Sequence, residues 1–159
     1  MPLKRRKKCY PKNKIMKLIS ILFLSLILGK GGCDSQDQKD MTSAVVVYTA
    51  TSRGFHREIT IENKQLSLLT ARDSKEAQVS QISDKDWNEL VTTFGNLKLE
   101  ELPTLKAPTE KRFYDGAAIA TLKITYNDKT YETTAFDHGF PPAEIEKFVN
   151  KINALAPMK

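Results

Sequence analysis

AVVVYTATSRGFHREITIENKQLSLLTA (residues 44–71) decides the fold. Ala44 to Thr51 is β-branched and aromatic, the composition of a strand. Ser52-Arg53-Gly54 breaks it. From Phe55 to Glu62 the pattern alternates, with Phe55, Arg57, Ile59 and Ile61 on one face. Asn63-Lys64 makes a short turn, and Gln65 to Ala71 returns as the second strand of a hairpin. Ala77 to Ile82 is a weaker strand, with Val79 expected to face inward.

Ser83 changes the period. It suits a helix N-cap, with Asp86 three residues on in a box-like position. Trp87, Leu90, Val91 and Phe94 then recur at i, i+3, i+4 and i+7, one helical face. Gly95 is expected at the C′ position that ends the helix. A long connection, 96–116, carries Pro103 and Pro108. A loop of that length is functional or packs on its own domain. Ala117 to Tyr126 alternates again, with Leu122, Ile124 and Tyr126 on one face, and Asn127-Asp128-Lys129 turns into Thr130 to Phe136. Pro141-Pro142 is expected to open a last helix with the face Ile145, Phe148, Val149, Ile152 and Leu155. The order β-β-β-β-α-β-β-α with hairpin connections predicts an α+β fold. It is an antiparallel sheet of about six strands with two amphipathic helices packed on one face.

That domain is expected to cover 43–159. Ahead of it, DSQDQKDMT (34–42) is polar and without apolar periodicity, a flexible tether. Nine of the 25 basic residues and none of the 19 acidic ones lie in 1–33, so the net charge of +6 for the chain becomes 16 against 19, or −3, for 34–159. A binder of the phosphate backbone needs clustered Lys and Arg. The mildly acidic domain lacks such a cluster, so no nucleic-acid partner is expected.

The basic leader runs into an apolar stretch, LISILFLSLILG (18–29). Twelve helical residues cover about 18 Å, short of the roughly 30 Å hydrocarbon core. Charge, a short apolar run and small residues predict a secretory signal segment over 1–33. An uncleaved anchor is the competing reading. MKLISILFLSLILGKGGC (16–33) would be a signal of ordinary length by itself, which makes Met16 an alternative start. Its end, Gly31-Gly32-Cys33, resembles the lipobox of bacterial lipoproteins. Where that motif carries Leu, three residues before the cysteine, this chain has Lys30. The resemblance implies lipidation of Cys33 and a membrane tether at the cell envelope, since two or more acyl chains anchor stably. Ordinary cleavage after Gly31, giving a secreted soluble product, is the alternative. Cys9 lies in the leader, so the exported domain has no intrachain disulfide and must rest on its core.

Chemistry is sparse. His56 and His138 are the two histidines, with no HExxH spacing, and the domain has no cysteine cluster, so neither metal nor cofactor is expected. No G-x-S-x-G elbow, P-loop or G-x-G-x-x-G occurs. Two polar segments remain, Lys111 to Gly116 in the long connection and Phe136 to Pro142 after the last strand. Asp137 beside His138 suits proton transfer, but the favoured reading is an Asx-type turn leading into Gly139 and the prolines. In an antiparallel hairpin a strand's start lies beside its partner's end. Arg53, Arg112, Tyr114, Asp115, Asp137 and His138 are therefore the candidate binding residues, with Arg53 or Arg112 as neutralisers of the two carboxylates. A non-enzymatic domain that binds an envelope partner is the leading expectation. A small hydrolase-like enzyme using His138 with Asp115 or Asp137 is the alternative from another class.

SRGF (52–55), APTEKRFYDGA (107–117) and FDHGFPP (136–142), followed by an amphipathic helix, resemble a group of small lipoproteins of Bacteroidetes-type bacteria. The likeness spans most of 44–156 and implies no activity. The layout is also similar to emfourin-type inhibitors of thermolysin-like metalloproteases, through Gly54-Phe55 and the Gly139 to Pro142 opening. That second resemblance implies a protease-inhibitor role and carries no inhibitory residue onto this chain.

Overall fold

The sheet is built outward from its middle strand. In the computed structural model, which describes residues 40–156 apart from residue 75, β1 (Ala44–Ser52) pairs antiparallel with both β2 (Phe55–Glu62) and β5 (Ile119–Tyr126). The expected signal segment, Cys33 and residues 34–39 of the expected tether lie outside the described residues. β3 (Gln65–Leu69) and β4 (Gln78–Gln81) extend the sheet past β2, while β6 (Lys129–Glu132) and β7 (Phe136–Asp137) share the outer edge of β5. The order is β4-β3-β2-β1-β5-β6, with every pairing antiparallel. Helices α1 (Asp84–Gly95) and α2 (Glu146–Leu155) complete an α+β fold.

Alternation along the strands separates the two faces. Tyr48, Ile59, Ile61, Leu122 and Ile124 are buried on one of them, with Leu90, Phe94, Phe148 and Ile152 of the helices. Phe94 sits at 5.9 Å from Phe148 and 5.8 Å from Tyr126, ring centre to ring centre, so α1, α2 and the sheet meet at one point. Full burial of a side chain such as Phe148 contributes about 1.5–3 kcal/mol. Lys151 of α2 reaches Asp86 at 2.7 Å and also Glu89, tying the two helices together at the surface.

Two connections need backbone that most residues avoid. Asn63 and Lys64 have φ of 47° and 63°, and Asn127 and Asp128 have φ of 50° and 61°. Positive φ at both central residues is the type I′ turn, whose twist matches that of its strands.

Several details depart from expectation. Val79 points outward and is 58% exposed, because it pairs with Ser67 rather than with the inward-facing Leu66 and Leu68. Ser83 caps α1 as expected, accepting from the Asp86 N–H at 3.2 Å. Gly95 is the last residue of that helix rather than the residue past it. The end is closed instead by Asn96, whose side-chain amide donates to the Thr92 carbonyl at 3.0 Å. Pro141 and Pro142 precede a turn in which Ile145 N–H donates to Pro142 O at 3.1 Å, and α2 starts only at Glu146. Residues 40–42, expected as the end of the tether, form a turn capped by Asp40, and Met41 is buried in the core. The long connection is largely packed. It carries a short 3-10 helix, Leu99–Thr104, and buries Leu97, Leu99, Leu102 and Leu105.

Candidate functional site

The expected single strand Thr130 to Phe136 is split, and the split makes the site. Lys123 opposes Glu132, yet Ala120 opposes Phe136, so the β6–β7 side holds one residue more than β5 between those pairs. Thr133 occupies this bulge. Its N–H donates to Leu122 O at 2.9 Å, and its hydroxyl accepts from the Leu122 N–H at 3.0 Å. An inserted residue exchanges the faces of everything after it. Phe136 therefore lands in the core and Asp137 turns to the opposite side.

There Asp137 meets the connection that arrives from α1. Its carboxylate is fully buried and accepts four hydrogen bonds. Oδ2 accepts from the Thr109 hydroxyl at 2.5 Å and the Lys111 N–H at 2.7 Å. Oδ1 accepts from the Arg112 N–H at 3.0 Å and from Arg112 Nη1 at 3.1 Å. Arg112 Nη1 also donates to Thr109 O at 2.8 Å, which closes the ring. Burial by itself would raise the Asp137 carboxyl. The bonds from Thr109, Arg112 and Lys111 outweigh it and hold the group at about 2. Arg112 uses one nitrogen here, so the pair is not the bidentate fork, and Asp115 takes no part in it.

The clamp fixes a short 3-10 turn, Lys111–Tyr114, and presents its outer side chains to solvent. Asp115 ends the turn at φ 57°, and Gly116 N–H closes it on Lys111 O at 2.9 Å. Phe113 and Tyr114 are each 71% exposed. The Lys111 ammonium lies 3.6 Å from the centre of the Phe140 ring, and the Arg112 guanidinium 4.3 Å from that of Phe113, both cation–π contacts. Ile119, opposite Asp137 on β5, and Phe140 are the other exposed apolar side chains at this end of the sheet.

His138 faces the other way. Consecutive residues of an extended chain point to opposite sides. Asp137 and His138 are consecutive, and the Asp137–His138 couple that proton transfer would need does not form. His138 Nδ1 instead shares a hydrogen bond of 2.7 Å with Tyr48 Oη, and its ring lies 5.6 Å from that of Phe55. Burial lowers the His138 pKa, and the Arg57 cation lowers it further. Burial raises the Tyr48 hydroxyl to about 12, away from any readily ionised state. Arg57 itself is buried. Its Nη2 donates to Asn153 O at 3.1 Å and to Ala156 O. Those carbonyls lie at the C-terminal end of α2, where Asn153 O also accepts from the Ala156 N–H at 3.4 Å and where a cation suits the helix dipole.

The six candidate residues thus share one end of the sheet without forming one cluster. Arg112 and Asp137 are bonded. Tyr114 and Asp115 project from the turn that this pair holds. His138 belongs to the Tyr48 side. Arg53 sits in the β1–β2 turn, at the same end, and bonds to none of the others. Sequence reasoning missed Thr109 as a partner of Asp137, and Phe113 and Phe140 as exposed aromatics. The KRFY run itself carries the available signal, two adjacent aromatics beside two cations with no apolar periodicity around them.

No protein-family model, curated protein or solved structure matches the chain. Among the described residues, no helix is long and apolar enough to cross a membrane, and no three acidic, histidine or cysteine side chains are grouped to hold a metal.

Proposed function

We propose that the chain is an exported lipoprotein, tethered at the cell envelope through Cys33, whose domain binds a protein partner without catalysis. The observation that supports this most is the aromatic turn. Two adjacent aromatic side chains stand in solvent on a backbone that a buried carboxylate holds in place. Exposed Phe and Tyr supply large contact area at low conformational cost, and a turn fixed in advance loses little freedom on association. Lys111, Phe140 and Ile119 extend the surface around it.

The decisive variant is Phe113→Ala with Tyr114→Ala in the full chain. Both side chains are exposed, so folding stability stays within about 0.5 kcal/mol of wild type. Capture of an envelope partner, identified by cross-linking to the intact cell surface, is expected to be lost. Retention of the same cross-linked product by the double variant rules the turn out. The tether is checked separately with an alkyne fatty acid. Wild type should label and Cys33→Ala should not, and equal labelling ends that part of the reading.

A convex loop with a fixed backbone also suits a protease inhibitor, the role implied by the emfourin-type resemblance. Titration against a thermolysin-like metalloprotease tests it. Stoichiometric loss of proteolysis supports inhibition, and cleavage of the loop without inhibition rejects it.

A further inference from the structure

The β1–β2 turn and the segment leaving β3 line a second feature, an open cleft of about 460 Å³. It is separate from the Asp137 clamp. Its walls bring together Arg53, His56 and Arg72, with Phe55, Gly54 and Ala71 between them.

Three observations on these residues point the same way. Arg72 is oriented: its Nε and Nη2 donate to the Thr51 hydroxyl at 3.2 and 2.5 Å. Thr51 in turn donates to Phe55 O at 3.3 Å, so the hydroxyl uses its one donor and two acceptor positions. That leaves the other edge of the guanidinium available. Secondly, neither Arg53 nor Arg72 has a carboxylate partner among the described residues. Every ion pair recorded there belongs to Lys64, Lys98, Arg112 or Lys151. Asp73 follows Arg72 directly and still does not pair with it. Thirdly, His56 Nδ1 is shielded from solvent and bonded to nothing among the described residues. Two guanidiniums without carboxylate partners and the His56 ring line one concavity, in a domain whose residues 34–159 carry a net −3.

We infer that this cleft binds a phosphate group, with Arg53 and Arg72 as its cationic walls and His56 as a third polar contact. Guanidinium groups match phosphate oxygens in geometry and form strong charge-assisted bonds with them. The volume lies within the roughly 300–1,000 Å³ range of small-molecule sites. Phe55 and Ala71 give the organic part of the ligand an apolar wall. A soluble phosphate ester and the headgroup of an anionic phospholipid both present this chemistry. The site does not depend on the aromatic turn.

The test uses the full chain in a nonionic detergent, titrated calorimetrically with inorganic phosphate and with glycerol phosphate. A flotation assay runs beside it, with vesicles of phosphatidylcholine alone or doped with phosphatidic acid. Saturable binding of glycerol phosphate without vesicle preference identifies a soluble ester. Preference for doped vesicles identifies a headgroup. In either case Arg53→Gln and Arg72→Gln should each weaken binding about tenfold or more. Lys123→Gln, an equal loss of charge at an exposed position on β5, should leave it unchanged. Phe113→Ala with Tyr114→Ala should bind phosphate as wild type does, so failure of the partner reading and failure of this one are distinct. Absence of binding in all arms overturns the inference. So does an equal effect of Lys123→Gln, which would mean diffuse charge rather than a site.

Discussion

The two ends of the sheet are built by different rules. At one end both connections are two-residue turns, Asn63-Lys64 and Asn127-Asp128, with all four residues at positive φ. Each is a local device, set by residues adjacent in sequence. At the other end the chain returns through a long connection that packs on the domain and then projects. Its geometry depends on Asp137, reached from Thr109 across 28 positions of chain. The first end closes the sheet and offers little else. The second carries a buried charge, exposed aromatics and an unpaired cationic cleft. The buried charge and the exposed aromatics collect where the backbone is held from a distance, while the cleft beside them lies on the local β1–β2 turn.

Removal of the remote hold should break the comparison most visibly. Asp137→Ala strands the Arg112 guanidinium, which is 12% exposed, together with two backbone N–H groups. A loss of about 3–5 kcal/mol in urea unfolding is expected, as for one half of a buried ion pair. A loss below about 1 kcal/mol would mean that the loop end is as locally determined as the turn end.

Acid should weaken the same end. The Asp137 carboxyl is held at about 2 against an ordinary value of 3.8. A depressed carboxyl contributes stability that is complete above its unfolded pKa, and that stability disappears as pH falls through the folded one. Wild type should therefore lose stability progressively between about pH 4 and pH 2. Asp137→Asn should flatten that slope. An unchanged slope in the variant would assign the acid sensitivity elsewhere.

The smallest effect belongs to the turn end and has the opposite sign. Asp128 adopts φ 61°, where glycine is at ease. Asp128→Gly should raise stability by about 0.5 kcal/mol, the relief of a left-handed residue less the added freedom of the unfolded chain. A fall in melting temperature would show that the turn is stabilised by its side chain rather than limited by its backbone.

Legibility in the sequence follows the same division. Strand alternation, Ser83 as a cap and the placing of the Asn63 and Asn127 turns all depend on near neighbours, and each is where the pattern puts it. Val79 was misplaced because one strand cannot tell which of its faces meets the core; its register against Ser67 decides that. The Thr133 bulge was invisible for a similar reason. Its extra residue is defined only against Leu122 on the partner strand. Everything after it inherits a reversed face, which is why Phe136 is buried in the core and Asp137 meets the long connection. The segments of the candidate site were legible, and their bonds were not.

Arg57 gives the last turn of α2 a role in the timing of folding. Its partners lie 96 and 99 positions downstream, and β1, the middle strand, also waits for β5, with Val46 opposite Ile124. A chain made from its N-terminus builds the β1–β2–β3 meander early. β1 then keeps one open hydrogen-bonding edge until β5 arrives, the state in which strands pair with the wrong partner. Arg57 remains without its carbonyls until residue 156 has emerged. The contact therefore forms only after α2 has been made, and a chain cut just short of Ala156 keeps its sheet sequence while losing one of the carbonyls that Arg57 bonds.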